Sequence, residues 1–202
     1  MQRKLVAVDW GTSSLRGALL NSEGVVLEKR AFPQGILQVA HGQFQHVFEQ
    51  RFGDWMGADT LCLISGMAGS RQGWREAPYC PCPSGFEDIA QHLQWIEKDR
   101  IGIVPGLSTW NDDTPDVMRG EETQIFGALQ LTGLDNAWLC LPGTHSKWAE
   151  VRDGQVVETN QGNPLDFIAA YQQRFKVALR PGLPRFCGGL AGYFGYDAVR
   201  YI

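Results

Sequence analysis

Apolar residues in the first half of the chain come in short runs separated by polar and glycine-rich breaks. Leu5 to Val8 is such a run and stops at Asp9, the pattern of a buried strand. Gly17 to Leu20 and Val25 to Leu27 flank Asn21-Ser22-Glu23-Gly24, so two more strands are expected around a turn. The chain is therefore predicted to open as an antiparallel meander. Phe44, Val47, Phe48, Phe52 and Trp55 recur at helical spacing, which predicts an amphipathic helix over about 43–55 covering one face of the sheet. Leu61 to Ile64 and Ile101 to Val104 read as further buried strands, with a helix expected between them from Phe86 to Lys98.

From Arg119 to Leu131, good helix formers carry apolar residues at Ile125, Phe126, Ala128 and Leu129, and a helix is expected there. After it the opening pattern returns: strand Trp138 to Leu141, a polar glycine turn from Pro142 to Ser146, strand Lys147 to Val151, turn Asp153-Gly154, and strand Gln155 to Glu158. A strand, a Gly-Thr-x-Ser loop and a hairpin thus occur twice. Meander, helix, strand, helix, strand is the order of a ribonuclease-H-like α/β domain. The expected organisation is one such domain over 1–118, a connecting helix with the start of a second, truncated domain of the same topology over 119–158, and an unrelated tail over 159–202.

Composition narrows the function. The 202 residues are 44% hydrophobic and 11% aromatic, enough for one substantial core. A net charge of −4 leaves no basic face able to neutralise several phosphates, which argues against nucleic acid as a partner. No run reaches membrane-spanning length, and the first residues lack the apolar stretch of a secretory signal. The five cysteines fit neither a disulfide framework nor a zinc site, so a reduced, cytoplasmic protein with a small-molecule partner is expected. Cys80-Pro81-Cys82 is read as a pair of loop thiols.

The repeated loops suggest phosphate chemistry. Asp9 ends a strand, where a carboxylate can serve a metal ion. Gly11 lets backbone N–H groups approach a phosphate, and Thr12 and Ser13 add donors. Gly143, Thr144, Ser146 and Lys147 repeat these donors with a cation added. Either loop alone is equally the turn of an ordinary hairpin; two of them facing each other would clamp a triphosphate. No Gly-x-x-x-x-Gly-Lys-Ser/Thr loop is present.

Asn111-Asp112-Asp113-Thr114-Pro115-Asp116 is expected as an acidic loop at the carboxyl end of the strand at 101–104. Asp113, with Asp112 beside it, is the candidate base for a hydroxyl being phosphorylated, while Asp116 is read as a helix cap. Glu121 and Glu122 begin the helix and either complement its dipole or meet substrate. Ser65, Gly66, Met67, Ser70 and Arg71 follow a strand directly and would reach the same crevice; Arg16, Arg71, Arg119 and Lys147 are the cations for a substrate carboxylate or phosphate. Trp10, Trp74, Trp110 and Trp148 are read as packing or cleft-lining residues.

Asp9-Trp10-Gly11-Thr12-Ser13-Ser14-Leu15-Arg16, Ser65-Gly66-Met67-Ala68-Gly69-Ser70, Val117-Met118-Arg119-Gly120-Glu121-Glu122-Thr123-Gln124 and Pro142-Gly143-Thr144-His145-Ser146-Lys147-Trp148 resemble the 2-dehydro-3-deoxygalactonokinase family over residues 1–158. The resemblance implies an actin/hexokinase-type fold, ATP and Mg2+, and transfer of phosphate to the terminal hydroxyl of a 2-keto-3-deoxy sugar acid. It also supports Asp113 as base, standing before Glu121 at the spacing of related sugar kinases. Beyond residue 158, Asn163-Pro164-Leu165-Asp166-Phe167 and Phe186-Cys187-Gly188-Gly189-Leu190 to Asp197 resemble the amino-terminal part of anthranilate synthase component I. The kinase family's next Met-Thr-Gly-Glu segment is absent, so weak ATP binding and little turnover are expected. The alternatives are a non-catalytic sugar-acid-binding module and a synthase fragment.

Overall fold

The computed structural model describes residues 3–111, 114–141 and 146–161. Strands β1 (Lys4–Trp10), β2 (Leu15–Leu20) and β3 (Val26–Phe32) form the expected antiparallel meander. Helix α1 (Phe44–Phe52) buries Phe44, Val47, Phe48 and Phe52 on one face and ends in a 3-10 turn at Gly53–Trp55. The chain then returns as β4 (Thr60–Ser65), parallel to β1, in the register that sets Ser65 beside Asp9. Next come β5 (Tyr79–Pro81), α2 (Phe86–Gln91), β6 (Gln94–Glu97) and β7 (Ile101–Ile103). Six strands make one sheet in the order β3-β2-β1-β4-β7-β6.

Alternation along these strands divides the sheet into two faces. Val6, Val8, Trp10, Leu15, Cys62 and Ile64 point to the α1 side and form the first core with its aromatic residues. Trp10 meets Phe44 edge-on at 5.4 Å and Trp74 at 6.2 Å. Arg30 fastens β3 to the end of α1: its guanidinium donates to both carboxylate oxygens of Asp54 at 2.7 Å and lies 4.2 Å over the Trp55 ring.

The second half supplies β8 (Gly106–Asn111), β9 (Thr114–Met118), α3 (Glu121–Thr132), β10 (Ala137–Leu141), β11 (Lys147–Arg152) and β12 (Gln155–Gln161). β8 pairs with β5 and β9, and β10-β11-β12 form a second antiparallel meander, repeating the start of the chain as the sequence implies. α3 stops at Gly133, which takes the left-handed conformation at φ 69°. A second core joins Cys80, Ile89, Val104, Leu107, Met118 and Ile125 to Ala149, Val151 and Val156, so the second meander is packed directly on the hairpin β8-β9 and on α2 and α3.

Three expectations are corrected. The helix expected over 86–98 ends at Gln91; Gln94–Glu97 is instead the edge strand β6, antiparallel to β7. The Trp95 ring lies against Gly102, so pairing and packing win over a helical continuation. Of the segment expected as an acidic loop after the strand at 101–104, Asn111 ends β8 and Thr114 to Asp116 belong to β9, a regular strand antiparallel to it. Period-two alternation places Asp116 and Met118 inward and Pro115 and Val117 outward. Cys80 likewise lies on a strand and is buried rather than in a loop.

Gly17 lets α1 approach β2: a β-carbon there would lie 2.4 Å from Cε1 of Phe52. Gly17→Ala is expected to destabilise the fold by about 1–3 kcal/mol, read from urea unfolding followed by tryptophan fluorescence. An unchanged midpoint would contradict this packing.

Candidate functional site

β1 and β4 run parallel and end side by side, so the polar residues that follow them emerge at one edge of the sheet. After β1, the Gly11 N–H donates to the Ser14 carbonyl at 2.9 Å and closes a tight turn. Gly35 to Leu37 back this turn: Ile36 N–H donates to Gly11 O at 2.9 Å and Leu37 N–H to Thr12 O at 3.3 Å. Gly35 must lack a side chain, since a β-carbon would sit 2.2 Å from Thr12 O. Thr12 and Ser13 are left exposed, as a phosphate loop requires.

After β4, Gly66 adopts φ 91°, and a β-carbon on it would lie 3.0 Å from Trp10 O and 3.3 Å from Asp9 Oδ1. On its other side Gly120 comes equally close, its own β-carbon position 3.4 Å from Gly66 Cα. The N-terminus of α3 is thereby brought to the ends of β1 and β4. Ser65 Oγ and Thr123 Oγ1 lie 3.2 Å apart, and Thr123 Oγ1 donates to Gly120 O at 2.7 Å. Asp9 stands at this junction, half-exposed, with Arg16 Nη1 3.9 Å from its carboxylate. Partial burial raises the Asp9 carboxyl, and Arg16 opposes that.

The two glutamates of α3 differ. Glu121 Oε2 accepts the Arg119 N–H at 3.0 Å, and Glu122 Oε2 accepts the Gly120 N–H at 2.7 Å, so both cap the helix. Glu122 is fully buried and its Oε1 has no hydrogen-bond partner among the described residues. Desolvation pushes its carboxyl from 4.5 up to about 7. Sequence reasoning leaves Glu122 as either a dipole complement or a substrate contact, without separating it from Glu121, and gives Thr123 no role. The glutamate pair after Gly120 was the signal.

The remaining candidates fall in several places. Met67 and Ser70 belong to the turn after Gly66, where the Ser70 hydroxyl donates to Met67 O at 2.8 Å. Arg71 is exposed beside Glu76. Arg119 turns under this segment, donating to Ala77 O at 2.8 Å with its guanidinium 4.2 Å over the Tyr79 ring. Ser146 and Lys147 are buried, and Lys147 forms an ion pair with Asp116. Asp116 also accepts from Thr159 Oγ1 at 2.8 Å, which lies 2.8 Å from Thr109 Oγ1. The expected helix cap at Asp116 is thus corrected: Gly120 is the N-cap, and Asp116 holds the hairpin to the second meander. Asp112, Asp113, Gly143 and Thr144 lie outside the described residues.

The face of the sheet opposite α1 opens into a cleft of about 890 Å³, walled by α2 and α3. Leu5, Ala7, Ala18, Leu63, Val104 and Phe126 are among its apolar lining; Asp9, Arg16, Ser65, Glu122 and Thr123 are polar groups within it. Such a mixture of an apolar wall with a few convergent polar groups suits a small ligand. Among the described residues no cluster of three or more His, Cys, Asp or Glu could hold a metal.

Two variants test the electrostatics. Folded Glu122 keeps a proton that the unfolded chain loses, so its ionisation penalty is absent below about pH 4.5, grows with pH, and is complete above about pH 7. Glu122→Gln should match the parent at pH 4 and exceed its stability at pH 8 by about 3 kcal/mol in denaturant titrations; parallel pH profiles would contradict this. Asp116→Ala should cost about 3 kcal/mol by stranding Lys147, and adding Lys147→Met should restore much of that loss. Strictly additive losses would refute the pairing.

Comparison with known proteins agrees with this geometry. A family model described as 2-keto-3-deoxy-galactonokinase matches residues 9–161. A protein of Rhizobium meliloti (strain 1021), named "Probable 2-dehydro-3-deoxygalactonokinase DgoK1", is 41% identical over 153 residues, 74% of this chain and 50% of its own length. The crystal structure of a "putative 2-dehydro-3-deoxygalactonokinase protein from Sinorhizobium meliloti" superposes with a TM-score of 0.72 at 39% identity, covering 82% of this chain and 57% of that one. The chain spans about half the length of the curated kinase relatives it matches. Its C-terminal part matches another protein: anthranilate synthase component 1 of Neisseria meningitidis serogroup B (strain ATCC BAA-335 / MC58) is 54% identical over 75 residues, 37% of this chain and 15% of that protein. With a matching model over residues 9–161 and a fold shared with a solved relative, the chain belongs to the 2-keto-3-deoxy-galactonokinase family.

Proposed function

We propose that this chain provides the sugar-acid side of an ATP-dependent kinase acting on 2-dehydro-3-deoxy-D-galactonate, with the 6-phosphate as product. The observation that carries this reading is the meeting of Asp9, the turn at Gly11 to Ser14, Ser65-Gly66 and the N-terminus of α3 at one end of the sheet. Phosphoryl transfer is catalysed mainly by positioning and charge neutralisation, and this junction offers backbone donors, hydroxyls and a carboxylate together.

In this reading Gly11, Thr12 and Ser13, with Gly143, Thr144 and Ser146, face the nucleotide phosphates. Lys147 is committed to Asp116, so a part in phosphate binding would require it to leave that ion pair. Arg16, Ser65, Gly66, Met67, Ser70 and Arg71 serve the sugar acid; Arg119 and Glu121 act by holding the segment beneath it. Asp113, assisted by Asp112, takes the hydroxyl proton. Mg2+ keeps most of its waters and binds substrate phosphates, so the single strand-end carboxylate of Asp9 fits it; when bound it would neutralise phosphate charge. The domain division at 118 and 158 and a cytoplasmic location belong to the same reading. No helix among the described residues is long and apolar enough to cross a membrane.

The length of the match favours a second reading, in which these residues bind the sugar acid without phosphorylating it. Calorimetry and a coupled ADP-release assay on the 202-residue chain separate the two. Binding of the sugar acid with little or no ADP release is the expected result. Robust turnover would overturn the expectation of weak activity, and absence of any binding would overturn both readings. Anthranilate release from chorismate is expected to be nil, since 15% of the synthase is matched.

A further inference from the structure

Glu122 has features that the capping of α3 does not explain. Its Oε2 caps the helix by accepting the Gly120 N–H, but the side chain is fully buried and Oε1 meets no donor or acceptor among the described residues. It lines the cleft. It lies in the first turn of a 12-residue helix, next to Thr123, whose hydroxyl sits 3.2 Å from that of Ser65. A buried polar atom without a partner is rare in folded proteins, and in a residue that lines a cleft a ligand group is one way to satisfy it.

We propose that Oε1 of Glu122 anchors a hydroxyl of the sugar acid at the junction of β4 and the first turn of α3. This rests on the sugar-acid reading above and names a contact within it. The surroundings suit a hydroxyl better than an ion. Leu63, Val104 and Ile89 line the adjacent wall and exclude water, while the nearby hydroxyls of Ser65 and Thr123 supply further hydrogen bonds. A 2-keto-3-deoxy acid presents both hydroxyls and a methylene carbon to such a wall.

Charged and titratable groups face Glu122 from several elements. Arg119 favours its ionised form and Glu121 its neutral form, both from the start of α3. Cys80 faces it from β5, with Asp88 of α2 acting on the same thiol. Asp9 and Arg16 lie elsewhere on the cleft wall. A carboxyl held near neutrality by burial can either accept from a hydroxyl or donate to it, and a ligand that engages it will move its titration.

The test follows the Glu122 carboxyl by NMR in the full 202-residue chain labelled with 13C-glutamate, with the signal assigned by its loss in Glu122→Gln. Titrations are run with and without saturating 2-dehydro-3-deoxy-D-galactonate, and calorimetry compares parent, Glu122→Gln and Glu122→Ala. The expected result is a midpoint moved by about half a pH unit or more on binding, with affinity reduced about tenfold or more in Glu122→Ala and less in Glu122→Gln. Binding of the sugar acid with an unmoved Glu122 titration overturns the anchor and leaves the proposed function standing. No binding by a folded parent chain overturns both. Should Glu122→Ala fail to fold, the titration of the parent decides.

Discussion

Gly66 is held at φ 91° close to the carbonyl of Trp10 and to the backbone of Gly120, and a β-carbon on it would crowd that carbonyl at 3.0 Å. The polar end of the sheet depends on that contact. The parallel pairing of β1 with β4 sets Ser65 beside Asp9, and the glycine that follows lets the N-terminus of α3 close over both. Any larger residue would carry strain from the positive φ and press on Trp10 and Asp9. The Ser65–Thr123 contact and the cap at Gly120 would be disturbed with it. A glycine that looks like loop punctuation is, in the fold, where three chain segments meet.

Electrostatics divides the structure into two kinds of polar site. Asp9 and Glu122 are carboxylates at the cleft with raised pKa values, set by withdrawal from water and only partly offset, by Arg16 at Asp9 and chiefly by backbone N–H donors at Glu122. Asp116 and Lys147 form a buried pair whose charges cancel, extended through Thr159 to Thr109. The first kind leaves hydrogen-bonding capacity unused on the cleft wall; the second consumes it. A buried pair of this sort contributes little net stability over an apolar replacement, yet it fixes register, joining the hairpin β8-β9 to the second meander.

Much of the fold was legible because its elements carry strong periodic signals. The aromatic stripe of α1, the apolar runs of β1 and β4, and the repeat of the opening meander at β10-β11-β12 needed no tertiary information. Gln94–Glu97 was not legible as a strand, because its choice depends on Trp95 packing against Gly102 on a neighbouring strand. Asp116 was misread for a related reason: acidic residues next to a helix suggest caps, and only pairing with Thr109 and contact with Lys147 reveal a strand with an inward carboxylate. Within the candidate site, the turn at Gly11 to Ser14 and the segment after Ser65 were recognisable from glycine and hydroxyl spacing. Glu122 was not distinguishable from Glu121, since burial alone separates them.

A single measurement bears on all of this: backbone amide shifts of the 202-residue chain, recorded as 2-dehydro-3-deoxy-D-galactonate is added. Changes concentrated at Asp9 to Arg16, Ser65 to Ser70 and Gly120 to Thr123 are the result that a sugar-acid site at this junction requires. A spectrum unchanged by the sugar acid, or one perturbed only at positions remote from these three segments, would contradict it.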